Sequence, residues 1–235
     1  MNFFKLALPI TIVFLLVLAC SKTSTNTSNA TPVPKSTPAI TSTPETVAAK
    51  PSPSTGPDLA SAVADYNSHN YEKAATSFEQ IVRNDPKNLD AQVYLGKSYV
   101  ALKKDDEAID AFQNAIAIKA DHPEANYNLG NIYYDRKDFQ ASLPFYEQAV
   151  KSKGNSPENL MALGENQRML KQYDRAIVQY GRVIGFEPDN AKAYYSLGLT
   201  YIGLNNKIGA RQQVRKLESL DKELAKKLTI AIGDK

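Results

Sequence analysis

A sequence repeat with a period of about 34 residues constrains the fold of this chain more than any other feature. The pair Leu-Gly recurs at this spacing, at Leu95-Gly96, Leu129-Gly130, Leu163-Gly164 and Leu197-Gly198. Small residues keep the same step at Ala74, Ala108, Ser142, Ala176 and Ala210, and large ones at Phe78, Phe112, Tyr146, Tyr180 and Val214. Five units fit without insertion, at about 55–88, 89–122, 123–156, 157–190 and 191–222. Such a period is typical of stacked repeat architectures.

Each unit has the pattern of two amphipathic helices. Apolar residues follow one another at steps of three and four, and polar turns such as Lys103-Lys104-Asp105 separate the two patterns. One pair of helices cannot bury its own apolar face, so the units must stack on one another. Pro144 falls about five residues into a second helix, and we expect a bend or a late helix start there.

The Leu-Gly, small and aromatic columns at this period, with Pro86 and Pro188 closing two units, resemble the tetratricopeptide repeat. The resemblance covers residues 57–235 and implies an all-α, right-handed superhelical solenoid of five helix–turn–helix repeats. Residues 219–235 predict a C-terminal capping helix, because Leu220, Leu224 and Leu228 line one face of it. Asp221 is the candidate N-cap of that helix.

Residues 1–19 have the features of a secretory signal peptide. Lys5 precedes a short apolar run, which is too short to span a bilayer as a mature helix. The run ends in Val17-Leu18-Ala19-Cys20, which resembles the bacterial lipobox and implies lipidation of Cys20. An ordinary signal peptide beside a chance cysteine is the alternative. Since Cys20 is the only cysteine, its lipidation excludes disulfide chemistry in the mature chain.

Residues 20–56 predict a disordered tether that follows the lipidated cysteine. Nine Thr, seven Ser and six Pro occur between residues 21 and 56, and there is no aromatic residue. A segment of this composition cannot bury enough apolar surface to offset the entropy of ordering it. The tether would hold the repeat domain away from the lipid headgroups.

The charge of the repeat region argues against nucleic-acid binding. Four of the 28 basic residues and one of the 25 acidic residues precede residue 57, so the rest of the chain carries equal numbers of both. A neutral domain has no electrostatic attraction to a phosphate backbone.

The sequence offers no candidate catalytic or metal site. His69 and His122 are its only histidines, and they fall in predicted turns of different units. It has no glycine-rich phosphate loop, paired-cysteine zinc signature or nucleophile elbow. We therefore expect a protein that is not an enzyme and needs neither cofactor nor metal.

The resemblance to tetratricopeptide repeats implies a binding surface. In that family the first helix of each unit lines a concave groove that holds a peptide or a partner helix. By position, the groove residues are Tyr94, Lys97, Tyr127, Asn128, Asn131, Tyr134, Glu165 and Arg168, with Met161 and Tyr195 beside them. Exposed helix residues without a binding role are the alternative. Lys97 and Asn131 are isolated pieces of the family's clamp for a C-terminal carboxylate, which is not reproduced as a whole.

Together these features predict a membrane-anchored scaffold or assembly adaptor of the bacterial cell envelope, with its domain outside the cytoplasm. Pilotins, barrel-assembly subunits and regulators of peptidoglycan enzymes are analogues at the level of the fold. Its expected partners are envelope proteins or peptides in the groove and the membrane through the lipid. A lipoprotein that captures a ligand for a transporter or an envelope enzyme is the alternative function.

Overall fold

The computed structural model describes residues 56–152 and 156–233. The signal peptide, Cys20 and nearly all of the tether that the sequence predicts lie outside the described residues. In the described part the chain is entirely helical, with eleven α-helices and no strand. None of these helices is long and apolar enough to cross a membrane.

The helices form five consecutive antiparallel pairs followed by a single helix. The first helices of the pairs are α1 (Leu59–Asn67), α3 (Leu89–Ala101), α5 (Pro123–Asp135), α7 (Pro157–Met169) and α9 (Ala191–Gly203). The second helices are α2 (Tyr71–Asn84), α4 (Asp105–Ile118), α6 (Phe139–Ser152), α8 (Tyr173–Phe186) and α10 (Lys207–Leu220). The last helix is α11 (Lys222–Ile232). This arrangement confirms the predicted all-α solenoid of five repeats with a terminal helix.

Polar side chains at recurring positions start the first helices. Asn88, His122 and Asn190 each accept a hydrogen bond from the backbone N–H three residues later, at the first turns of α3, α5 and α9. Asp221 accepts from the N–H groups of Glu223 and Leu224, so it is the N-cap of α11 that the sequence predicted.

The turn inside each pair of helices also repeats. His69, Lys103, Lys137, Lys171 and Asn205 occupy the same position in five successive units, and each has a φ between 57° and 63°. This left-handed conformation ends the first helix of each pair and reverses the chain within a few residues. None of the five is a glycine, so in each the Cβ lies unfavourably close to the following carbonyl oxygen.

The core consists of the columns that the sequence identified. All five residues of the small column, Ala74, Ala108, Ser142, Ala176 and Ala210, are fully buried. The aromatic column is buried at Phe78, Phe112, Tyr146 and Tyr180. The glycines of the Leu-Gly pairs face those rings: a Cβ on Gly96 would lie 2.7 Å from the ring of Phe112, and one on Gly130 equally close to Tyr146. Neighbouring helices therefore approach closely because these positions lack a side chain.

Of the two outcomes expected at Pro144, a bend or a late helix start, the late start does not occur. Helix α6 begins at Phe139, and Asp138 accepts a hydrogen bond from the N–H of Ala141 in its first turn. Its 14 residues match α4 and α8 in length, and Pro144 lies inside it. Pro144 removes one donor to the carbonyl of Gln140, but both residues are exposed, so water can satisfy that carbonyl.

Candidate protein-binding groove

Two clefts lie along the first helices of the repeats. The first cleft has a volume of about 430 Å³ and is lined by Tyr66, Lys97, Val100, Ala101, Pro123, Glu124, Tyr127, Asn128, Ser156, Glu158 and Asn159. The second cleft has about 390 Å³ and is lined by Tyr127, Glu158, Met161, Ala162, Glu165, Lys192, Tyr195, Ser196 and Leu224. Because Tyr127 and Glu158 line both, the two clefts form one continuous surface, which we call the groove.

The groove contains some of the residues that the sequence placed there and not others. Lys97, Tyr127 and Asn128 line the first cleft, and Tyr127 and Glu165 line the second. Tyr94, Asn131, Tyr134 and Arg168 line neither cleft. They contact groove residues or the core from the same helices, as described below.

Four charged or aromatic residues of the groove were not predicted from the sequence. Glu124, Glu158 and Lys192 each stand second in their unit, so the repeat period itself could have identified them. Tyr66 comes from α1, whose unit lacks the Leu-Gly pair that marks the register.

Lys97 lies in a cage of aromatic and acidic groups at one end of the groove. Its Nζ is 2.8 Å from Oε1 of Glu124. It is also 4.6 Å from the ring centre of Tyr94 and 5.1 Å from that of Tyr66, which is within the range of cation–π attraction. Burial lowers the pKa of Lys97, but the hydrogen bond and charge of Glu124 outweigh it, so the net shift is upward. The ammonium is therefore charged and already paired.

Tyr94 supports this cage from the core side. Its ring stacks on Phe78 at 5.5 Å between centroids and meets Tyr66 edge to face at 5.4 Å. These contacts fix the ring that faces Lys97. The position that the sequence assigned to ligand contact thus packs between two repeats.

Glu165 is the centre of a second polar cluster, near the other end of the groove. It forms an ion pair with Arg168 of the same helix and accepts a hydrogen bond from the hydroxyl of Tyr180 at 2.9 Å. Tyr134 donates to it more weakly, at 3.5 Å. Burial raises the pKa of Glu165, but Arg168 and the two hydroxyls outweigh it, and the net shift is downward. The carboxylate is thus ionised and neutralised inside the protein.

Two asparagines of the predicted groove have their side-chain amides bonded within the domain. Oδ1 of Asn131 accepts a hydrogen bond of 2.8 Å from the hydroxyl of Tyr146, whose ring belongs to the core. Nδ2 of Asn128 donates to the carbonyl of Glu124 one turn earlier, at 2.8 Å. Asn131 therefore has a structural role in addition to any contact with a ligand.

The chemistry of the groove is that of a recognition surface. Its two clefts are lined by tyrosine rings and by charged residues, of which Lys97, Glu124 and Glu165 form ion pairs within the protein. Among the described residues no group of three or more His, Cys, Asp or Glu side chains is placed to hold a metal ion.

The helix pairs, the constant step from unit to unit and the groove along the first helices define the chain as a helical repeat protein. Its sequence matches tetratricopeptide repeat family models at residues 96–136, 168–205, 123–156 and 191–224, which together span about half of the chain. The chain belongs to the tetratricopeptide repeat family.

Solved structures share this fold. The crystal structure of MamA superposes with a TM-score of 0.65 at 22% identity, covering 72% of this chain and 98% of MamA. YrrB, described as a TPR protein with an unusual peptide-binding site, superposes with a TM-score of 0.68 at 23% identity, covering 73% of this chain and 90% of YrrB. No curated protein sequence matches the chain significantly.

Proposed function

We propose that this protein is a scaffold that binds an extended segment or helix of a partner protein in its groove. The observation that carries the proposal is the continuity of the two clefts through Tyr127 and Glu158. Residues from α1, α3, α5, α7, α9 and α11 contribute to this surface, so a bound segment would contact several repeats at once. The peptide-binding site named for YrrB supports the same kind of ligand for this fold.

The composition of the groove favours a protein ligand. Tyr66, Tyr127 and Tyr195 supply aromatic area at a low cost in conformational entropy, and aromatic residues are enriched at the centres of protein interfaces. The paired charges of Lys97 and Glu165 add polar contacts without attracting a highly charged polymer. Both clefts are open to solvent, whereas a small-molecule site buries most of the surface of its ligand.

The proposal places the scaffold on the bacterial cell envelope. Its support is the sequence Val17-Leu18-Ala19-Cys20 after an apolar segment and the Ser-, Thr- and Pro-rich stretch that follows. A lipid on Cys20 would anchor the protein to a membrane, and the stretch to residue 56 would give the domain reach. Envelope proteins close to that membrane are the proposed partners.

The groove is tested by truncating its shared aromatic side chain. Tyr127→Ala removes the ring that lines both clefts, and it should release a partner recovered by crosslinking from membranes. Hot-spot tyrosines at the centre of an interface contribute about 2 kcal/mol or more, which is roughly a thirtyfold loss of affinity. Asn131 is left unchanged in this test, because its removal would leave the hydroxyl of Tyr146 without its hydrogen-bond acceptor.

Tyr194→Ala is the matched control. Tyr194 is also a half-buried tyrosine of a first helix, but it lines neither cleft of the groove. Both variants should keep the helical circular dichroism of the parent. Retention of the partner by Tyr127→Ala, or equal loss from both variants, would refute binding in the groove.

A further inference from the structure

Glu158 is the groove carboxylate best placed to meet a ligand. It lies in the first turn of α7, is exposed, and lines both clefts beside Tyr127. Within the described part of the chain it forms no ion pair, whereas Glu124 and Glu165 are paired with Lys97 and Arg168. Its charge contributes, after burial, to the raised pKa of Tyr127, so the carboxylate and the phenol are close.

The position of Glu158 belongs to a row of acidic residues. Asp90, Glu124 and Glu158 occupy the same place in three consecutive units, in the first turns of α3, α5 and α7. An acidic side chain there also stabilises a helix through the helix dipole. The row ends at α9, where Lys192 replaces the acid. The acidic row therefore covers α3, α5 and α7 and contributes Glu124 and Glu158 to the first cleft.

The first cleft already accommodates an ammonium group of the protein itself. Nζ of Lys97 lies against Glu124 and over the rings of Tyr66 and Tyr94. Glu124 stays about half exposed (48%) despite this contact, so one side of its carboxylate faces the cleft. The opposite wall repeats the same chemistry, a tyrosine ring and a carboxylate, with Tyr127 and Glu158. Lys192 lines the second cleft with these two residues, but within the described residues it forms no ion pair with Glu158.

We infer that the first cleft binds an arginine or lysine side chain of the partner, held by the carboxylate of Glu158 and the ring of Tyr127. The inference rests on the proposed function and specifies its ligand. A cation there restores the charge balance of the cleft, which Lys97 alone leaves negative because two carboxylates line it. Aromatic faces attract cations, and Arg in particular stacks on them.

The lining of the second cleft indicates which kind of side chain lies next to the basic residue in the partner. Its lining includes Met161, Ala162 and Leu224, and it adjoins the first cleft at Tyr127. It therefore takes an apolar side chain close in sequence to the basic one. The partner segment therefore combines a basic residue and an apolar residue.

The test uses the full chain in detergent and a positional-scanning library of heptapeptides, N-acetylated and C-amidated. Blocked ends remove terminal charges, so any charge preference comes from side chains. We expect enrichment of Arg or Lys at one position beside an apolar position. The strongest peptide is then compared with its uncharged counterpart, citrulline for Arg or norleucine for Lys, by isothermal titration calorimetry.

Removal of the peptide's charge should weaken binding to the wild type about three- to tenfold, the range for a half-exposed ion pair with a cation–π contact. Against Glu158→Gln the two peptides should differ by only about two- to threefold, because the ion pair is gone and the cation–π contact with Tyr127 remains. Glu147→Gln, an exposed acid on α6 that lines neither cleft, should behave as the wild type does.

The outcomes separate this inference from the proposed function. If the peptides bind, lose affinity with Tyr127→Ala, and yet show no basic preference or no effect of Glu158→Gln, the groove stands and the cation site is wrong. If no peptide is enriched, or if the enriched peptides bind Tyr127→Ala as tightly as the wild type, the proposal of peptide binding in the groove is wrong. The cation site is then wrong as well.

Discussion

Gly198 packs against Leu228 of the terminal helix, not against the second helix of its own unit. A Cβ on Gly198 would lie 2.9 Å from Cδ1 of Leu228, and Leu228 is fully buried. The corresponding glycines Gly96, Gly130 and Gly164 instead face the aromatic ring of their own second helix. Helix α11 thus takes over, at the end of the solenoid, the role that an aromatic side chain has inside it.

The first prediction follows from this contact. Gly198→Ala should destabilise the domain by about 1–3 kcal/mol, because a buried leucine has to move to admit the methyl group. Urea denaturation followed by circular dichroism measures the change.

Gly181→Ala is the opposite case and serves as the control. Gly181 is exposed in the interior of α8, and nothing lies within 4 Å of a Cβ placed on it. The substitution should stabilise α8 by about 0.8–1 kcal/mol through helix propensity alone. A neutral or stabilising Gly198→Ala would contradict the contact with Leu228.

The second prediction concerns the turns between paired helices. Lys137 has a φ of 63°, and Lys171 one of 59°. Because glycine enters this region without the Cβ penalty, Lys137→Gly and Lys171→Gly should each gain about 1 kcal/mol in the free energy of unfolding. Lys151→Gly, inside α6, should lose about the same amount. Equal losses from all three substitutions would show that the left-handed conformation costs nothing at these turns.

The sequence predicted the fold well because the spacing of residues along a helix determines the face on which each side chain lies. The columns at Ala108 and Phe112 are fully buried, as their spacing within a unit and from one unit to the next required. The repeat period did not predict the position of the last helix. Helix α11 begins at Lys222, three residues before a sixth unit would place it, so no column could assign Leu228 to Gly198.

The candidate site was less predictable, because partners in a groove depend on rotamers and on neighbouring helices. The resemblance to tetratricopeptide repeats placed Glu165 and Arg168 in the groove, but it gave no indication that they would pair with each other. The sequence likewise gave no indication that Asn131 would accept a hydrogen bond from the hydroxyl of Tyr146, which lies on the following helix. Glu124 and Glu158 are predictable from the period alone, because both stand second in their units.

The third prediction concerns the proposed lipid anchor. Full-length protein expressed in a bacterial host should partition with membranes and incorporate a labelled fatty acid. Cys20→Ala should abolish the labelling, since no other cysteine is present. Ser21→Ala beside it should label normally. Equal labelling of the wild type and Cys20→Ala would disprove the anchor and leave the groove proposal untouched.

The last prediction concerns the cap of α5, where His122 stands at the position of Asn88 and Asn190. Nδ1 of His122 accepts a hydrogen bond of 3.2 Å from the N–H of Ala125, which requires a neutral imidazole. Burial lowers the pKa of His122, against the opposing charge of Glu124, so the unfolded chain takes up a proton more readily than the folded one. The stabilisation is therefore complete above the unfolded pKa of about 6.5 and is lost as the pH falls through the lower, folded pKa.

His122→Asn should keep the cap and remove its dependence on pH, because Asn88 and Asn190 already make the same hydrogen bond in neighbouring units. Between pH 7.5 and pH 5 the wild type should lose about 1 kcal/mol more stability than the variant, the typical contribution of an N-cap. Urea midpoints at the two pH values measure this difference, and carboxylates that titrate in both proteins cancel from it. His69→Asn is the control, because His69 lies in a turn and caps no helix with its side chain. If the stability curves of the wild type and His122→Asn run parallel across this range, the imidazole is not the acceptor at the start of α5.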